Sequence, residues 1–221
     1  MVLADADVAA ARTAVRARFL NTGQSCVNAK RFIVDEAVAD EFADAFTEAV
    51  SGLRVGDPVE ADTTVGPLAR EDLRDGLADQ VRRTVEAGGV ARTGGETVPG
   101  PGYFYAPTVL DHVKPGMAAF EEETFGPVAA IVRVSGDDEA LALANDTEFG
   151  LGAAVCTRSS ERAQRFVKGL AAGAVFVNGM VASDPRLPFG GIKKSGYGRE
   201  LGTDGIREFV NVKTVWTGEV L

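Results

Sequence analysis

In Phe19-Leu20-Asn21-Thr22-Gly23-Gln24-Ser25-Cys26-Val27 a thiol follows directly on a short, polar, glycine-containing loop. Such a loop exposes a nucleophile on a firm support. Gly23 lets backbone run close to a bound molecule, and backbone N–H groups around Cys26 can hydrogen-bond the oxyanion formed when sulfur attacks a carbonyl. A buried cysteine acting as a small hydrophobe is the commoner fate of an intracellular thiol, and these residues alone leave both readings open. Cys156 ends the run Gly150-Leu151-Gly152-Ala153-Ala154-Val155, where a thiol is expected to be buried, protonated and unreactive. Two cysteines so far apart give neither a disulfide framework nor a metal spacing, and no metal is expected. The single histidine, His112, stands in the turn-like stretch Asp111-His112-Val113-Lys114-Pro115-Gly116 and is given no role.

A second glycine cluster, Pro188-Phe189-Gly190-Gly191-Ile192-Lys193-Lys194-Ser195-Gly196-Tyr197-Gly198-Arg199, invites a phosphate-loop reading because it mixes Gly, Lys and Ser. Its spacing fails: counted from Gly191 the second glycine arrives at Gly196, but Tyr197 and Gly198 stand where Lys and Ser or Thr are needed. No strand-GxGxxG-helix unit occurs elsewhere, so nothing in these residues binds a dinucleotide in the Rossmann manner. Carboxylates gather at Glu121-Glu122-Glu123, ahead of Thr124-Phe125-Gly126-Pro127. An acidic run is usually a solvated face. Here its place before a turn and an apolar strand leaves room for one acid to face a crevice at a strand end.

The elements that carry these groups read from periodicity. Val8, Ala11, Val15 and Phe19 recur at helical spacing behind Asp5 and Asp7, which predicts an amphipathic helix with Cys26 in the loop after it. Arg31-Phe32-Ile33-Val34 reads as a short strand, and Asp35 caps a helix whose inner face is Val38, Phe42, Phe46 and Val50. Leu73, Leu77, Val81 and Val85 repeat the helical pattern until Gly88-Gly89 stops it. Strand-like runs follow at 103–110, 128–134, 150–157, 174–178 and 209–216, with helical stretches at 137–145 and 159–170. This alternation implies one α/β domain with a largely parallel sheet covered on both faces. In the last run Val210, Val212 and Val215 stand among polar residues, and either a second subunit or the chain's own sheet would cover it.

Composition narrows the function classes. With 45% hydrophobic and 25% charged residues over 221 positions, a packed globular protein is expected. A net charge of -9 opposes binding to phosphate backbones or anionic lipid, so neither nucleic acid nor membrane is an expected partner. No apolar run reaches bilayer-spanning length and the first residues are acidic, which leads to a cytoplasmic expectation.

Taken together these segments resemble the aldehyde dehydrogenase family over nearly the whole chain. Phe19-x-x-x-Gly23-Gln24-x-Cys26 looks like its active-site cysteine signature, and Glu123-Thr124-Phe125-Gly126-Pro127 like its acidic turn. Pro188-Phe189-Gly190-Gly191 with Ser195-Gly196 looks like its C-terminal glycine segment, and Val65-Gly66-Pro67-Leu68 and Asn145-x-x-x-x-Gly150-Leu151 fit as well. Within the family, Gln24-Ser25-Cys26, the segment 183–191 and the ending 205–216 look most like bacterial succinate-semialdehyde dehydrogenases. The resemblance implies a catalytic domain over 1–208, an oligomerisation strand and tail over 209–221, and no Rossmann-like cofactor domain. It implies that Cys26 attacks an aldehyde, that hydride passes to NAD or NADP, and that water cleaves the resulting thioester. Glu123 would hydrogen-bond the ribose beside the nicotinamide and Phe125 would pack near the ring. Leu20 occupies a position where some members of the subgroup carry an arginine for the substrate carboxylate, and Arg186 or Ser183 is the expected substitute.

The pattern departs from the family at the start of the chain. The family's general-base glutamate, its oxyanion asparagine and almost all of its cofactor domain belong upstream of the cysteine helix. Met1-Val2-Leu3 stands just after where that glutamate is expected. On this reading the 221 residues supply one edge of a dinucleotide site through Glu123 and Phe125, and are expected to turn over poorly without a cofactor domain to pair with. A homo-oligomer is the other expected assembly. Two alternatives stand beside this: a non-catalytic association module of a split or truncated enzyme, and a thiol hydrolase or acyltransferase. The latter wants a histidine beside its cysteine, and His112 is the only one available.

Overall fold

The run Val128-Ala129-Ala130-Ile131-Val132-Arg133-Val134 is apolar at six of its seven positions, and such a strand must be covered on both faces. The computed structural model describes residues 1–7 and 9–219 and places this run at the centre of a four-stranded sheet. In chain order the elements are α1 (Ala10–Phe19), a 3-10 turn (Leu20–Gly23), β1 (Arg31–Asp35), α2 (Glu36–Ser51), α3 (Glu71–Glu86), β2 (Val90–Thr93), β3 (Thr108–Asp111) and α4 (Ala118–Glu121). They continue with β4 (Val128–Val134), α5 (Asp137–Asn145), β5 (Phe149–Gly150), β6 (Gly152–Val155), α6 (Ser160–Gly169), β7 (Ala174–Val177), β8 (Ile192–Lys193) and α7 (Gly202–Arg207). The sheet order is β1-β4-β3-β2. β4 runs parallel to β1, with Arg31 opposite Ala130, and parallel to β3, with Thr108 opposite Val128. β6 and β7 form a second parallel pair.

Alternation along β4 divides the interior in two. Val128, Ala130, Val132 and Val134 pack with Leu77 and Val81 of α3, Phe120 of α4 and Phe166 of α6. Ala129 and Ile131 face the opposite way, onto Phe19 of α1 and Phe42 and Phe46 of α2. Helices therefore cover both faces, and the α/β architecture with a mainly parallel sheet is the observed one. Asp35 caps α2 as the sequence predicts, accepting from the Ala37 N–H at 3.0 Å. Val8, expected on the inner face of the first helix, lies outside the described residues.

Two expectations need correction, at Val85 and at 209–216. Val85 closes the apolar stripe of α3 by spacing, yet it is exposed; the buried position of that last turn is Thr84, whose hydroxyl accepts from the Ala119 N–H at 3.0 Å. The sheet also has an antiparallel edge, since β2 returns against β3. Its residues Val90-Ala91-Arg92-Thr93 are too short and mixed to read as a strand. The strand expected at 209–216 is not formed within the chain: these residues join no ladder among the described residues, and Phe209, Val212 and Trp216 are exposed. A strand exists only where another edge accepts its hydrogen bonds, and no described residue pairs with the segment.

Candidate active site

Two segments far apart in sequence meet backbone to backbone beside Cys26. Gly23 has φ +71° and a Cβ built on it would stand 2.2 Å from the Gly126 carbonyl oxygen, so the cysteine loop and the turn 123–127 approach as only glycine allows. The contact is fastened from below by Arg18, which is fully buried at the end of α1. Its Nη2 donates to the Thr124 carbonyl at 2.6 Å and to the Gly126 carbonyl, and its Nη1 donates to the Ala29 carbonyl at 3.4 Å. Burial pushes this guanidinium down from its ordinary range, with the charge of Glu123 opposing.

The same loop grips the segment Val65-Gly66-Pro67-Leu68. The Gly66 N–H donates to Thr22 Oγ1 at 3.0 Å, and Gln24 spans the segment, accepting from the Ala69 N–H at 2.9 Å and donating to the Pro67 carbonyl at 3.3 Å. Three of the motifs that stood apart in the sequence thus form one cluster.

Cys26 leaves this cluster exposed, at the edge of a crevice of about 500 Å³ whose lining includes Lys30, Glu123, Gly150, Met180 and Ser195. The three neighbouring acids have separate fates. Glu121 accepts from the Gly116 N–H at 2.7 Å, closing the loop before α4. Glu122 is held by Arg83 of α3 at 2.6 and 2.9 Å, which keeps its carboxyl below the ordinary range. Glu123 lines the crevice together with its two neighbours but pairs with Lys30, whose Nζ lies 3.1 Å from its Oε1. Lys30 also sits 5.8 Å from the centre of the Phe125 ring, within cation–π range. Burial pushes the Lys30 ammonium down, as does the Arg18 charge, while Glu123 and Cys26 oppose.

Cys156 is half-buried just past β6, packed against the core of α1 and α2, and burial pushes its thiol up. His112 lies beside the buried Asp111 at the far end of β3. Ser183 and Arg186 are exposed and do not line the crevice; Arg186 donates to Asp184 at 2.9 and 2.6 Å. Leu20 is exposed as well. No group of three or more His, Cys, Asp or Glu that could hold a metal ion occurs among the described residues. None of the described helices is long and apolar enough to cross a membrane.

Two residues at this site were not singled out by sequence reasoning. Arg18 carried a signal: it falls at helical spacing after Ala11 and Ala14, on the apolar side of α1, where a cation needs a buried partner. Lys30 carried none, since nothing local distinguishes it from a surface lysine.

Comparison with known proteins follows the same cluster. A model described as the aldehyde dehydrogenase family matches residues 1–215. The chain is 51% identical over 217 residues to succinate-semialdehyde dehydrogenase (NADP+) 1 of Mycobacterium bovis, covering 98% of this chain and 48% of that protein. It is 52% identical over 217 residues to a probable NADP+ succinate-semialdehyde dehydrogenase of Synechocystis, with the same coverage, 98% of this chain and 48% of that protein. The crystal structure of succinate-semialdehyde dehydrogenase from Burkholderia pseudomallei superimposes with a TM-score of 0.92 at 40% identity, covering 95% of this chain and 44% of that one. The chain spans about half the length of the curated relatives it matches. With the exposed thiol, the inward-facing Glu123 and the glycine contact that joins them, these matches establish that the chain belongs to the aldehyde dehydrogenase family.

Proposed function

We propose that this protein takes part in the NAD(P)-dependent oxidation of an aldehyde to a carboxylic acid, with Cys26 as nucleophile and succinate semialdehyde as the substrate to try first. The observation that carries the reading is the pairing of an exposed Cys26 with Glu123 across one crevice. The Cys26 thiolate adds to the aldehyde carbon, and the oxyanion of the resulting thiohemiacetal is stabilised by backbone N–H groups near the thiol. A bound nicotinamide dinucleotide would accept the hydride that leaves this carbon. Water then cleaves the thioester, releasing the acid and restoring the thiol. Glu123 suits the cofactor end of the site: its carboxylate is an acceptor that faces the crevice and can receive ribose hydroxyls, while the exposed Phe125 ring offers an apolar flank beside it. For the carboxylate of an acidic aldehyde we propose Arg186 and Ser183 on the resemblance alone, since both lie outside the crevice lining and Asp184, which holds Arg186, must be displaced. A cytoplasmic location belongs to the same proposal.

The reading is tested without turnover. Succinate semialdehyde should protect Cys26 from alkylation by occupying its sulfur reversibly. Unchanged labelling of Cys26 at saturating aldehyde would contradict the reading.

The association reading rests on a different observation, the exposed Phe209, Val212, Val215 and Trp216 of the C-terminal segment. We propose that this segment pairs with a second copy of the chain, which would supply the missing ladder and cover these side chains. Sedimentation should show oligomers, and Val212→Lys should move the distribution towards monomer because a lysine there would be buried without a partner. A monomer both before and after the substitution would rule the pairing out.

A further inference from the structure

Lys30 touches both halves of the proposed chemistry from within the crevice. Its ammonium sits among the carbonyl oxygens of Ser25, Cys26 and Asn28 at 3.5, 3.4 and 3.3 Å, so three dipoles of the cysteine loop point at it. Those distances are long for hydrogen bonds and describe an ion in a nest of dipoles. On the other side Glu123 Oε1 lies 3.1 Å away. The lysine side chain is only 19% exposed, so water screens it poorly. The charges around it come from Arg18 beneath the loop, Glu123 across the crevice and Cys26 itself when ionised. A tether needs only a hydrogen-bond donor at this place, whereas a fixed positive charge in the cysteine loop also sets the field met by any charged molecule that approaches the crevice.

We infer that Lys30 is a positioning residue that holds the Cys26 loop against Glu123 and supplies the positive field in which the Cys26 thiolate acts, a field that Glu123 partly cancels. This rests on the dehydrogenase reading, and makes Glu123 a regulator of the nucleophile as well as a contact for ribose. A ribose whose hydroxyls donate to the carboxylate weakens its hold on Lys30 and leaves more of the ammonium charge to the field around Cys26. Cofactor binding and nucleophile activation are thereby linked through one side chain.

The test uses the whole chain and two reagents of equal size and different charge. The Cys26 sulfur displaces iodide from neutral iodoacetamide or anionic iodoacetate, forming the S–C bond as the C–I bond breaks, and peptide mapping gives each rate. The ratio of the iodoacetate rate to the iodoacetamide rate reads the local field. Lys30→Met should lower this ratio by roughly threefold or more, and Lys30→Arg should restore it. Glu123→Gln, which removes one negative charge from an exposed side chain, should raise it. An unchanged ratio in Lys30→Met and in Glu123→Gln overturns the inference, as does a fall in Lys30→Met that Lys30→Arg fails to restore. If Lys30→Met does not fold, the Glu123→Gln ratio decides alone. Labelling of Cys26 with none of these shifts removes the role of Lys30 and leaves the dehydrogenase reading standing, whereas a Cys26 inert to both reagents removes both.

Discussion

Gly23→Ala is expected to destabilise the protein by about 3 kcal/mol or more, combining the cost of a left-handed backbone with that of an overpacked contact. The residue has φ +71°, and the added methyl would stand 2.2 Å from the Gly126 oxygen and 2.6 Å from its carbonyl carbon. Neither side can yield. The Gly126 carbonyl is held by Arg18, and a Cβ at Gly126 would itself meet Leu77 Cδ2 at 2.5 Å, so the turn is already pressed against α3. For a chain of this size the loss corresponds to roughly 6–12 °C in Tm. Because the strain lies between the cysteine loop and the Glu123 turn, Cys26 labelling should change along with stability. Gly66→Ala in the same cluster makes the comparison. The nearest atoms to its Cβ are Pro58 Cβ at 3.7 Å and Thr22 Oγ1 at 3.8 Å, with no left-handed φ to maintain, so it should be tolerated. Denaturant unfolding of the two variants measures the difference, and equal midpoints would show that the contact at Gly23 relaxes at little cost.

That contact also marks what the sequence could and could not convey. The loop around Cys26 was legible because glycine, polar residues and a thiol cluster within nine positions, a local pattern with a local meaning. The central strand and the helices α2, α5 and α6 were legible for a related reason, since burial on one or two faces imposes a period on the residues. Which partner each of Glu121, Glu122 and Glu123 takes was not legible from residue types. The answer depends on Arg83, nearly forty positions earlier, taking Glu122, and on Lys30 taking Glu123. Arg18 shows the same limit: its position on an apolar helix face was visible, but its acceptors at Thr124 and Gly126 come from a turn more than a hundred residues away. The C-terminal run shows the converse. Its alternation reads as strand-like, yet among the described residues it pairs with no edge and forms no strand.

The central claim is that Cys26 is the nucleophile, and the most direct measurement is mass-mapped alkylation of the folded protein at neutral pH. The account predicts that Cys26 is modified about tenfold faster than Cys156 or more, since an exposed sulfur meets the reagent freely while burial both shields the Cys156 sulfur and favours its protonated form. Cys26 is exposed at the crevice with the Lys30 ammonium 3.4 Å from its carbonyl oxygen, while burial pushes the half-buried Cys156 thiol up. Loss of the difference in denaturant would confirm that the fold creates it. Preferential labelling of Cys156 in the native state would contradict the account.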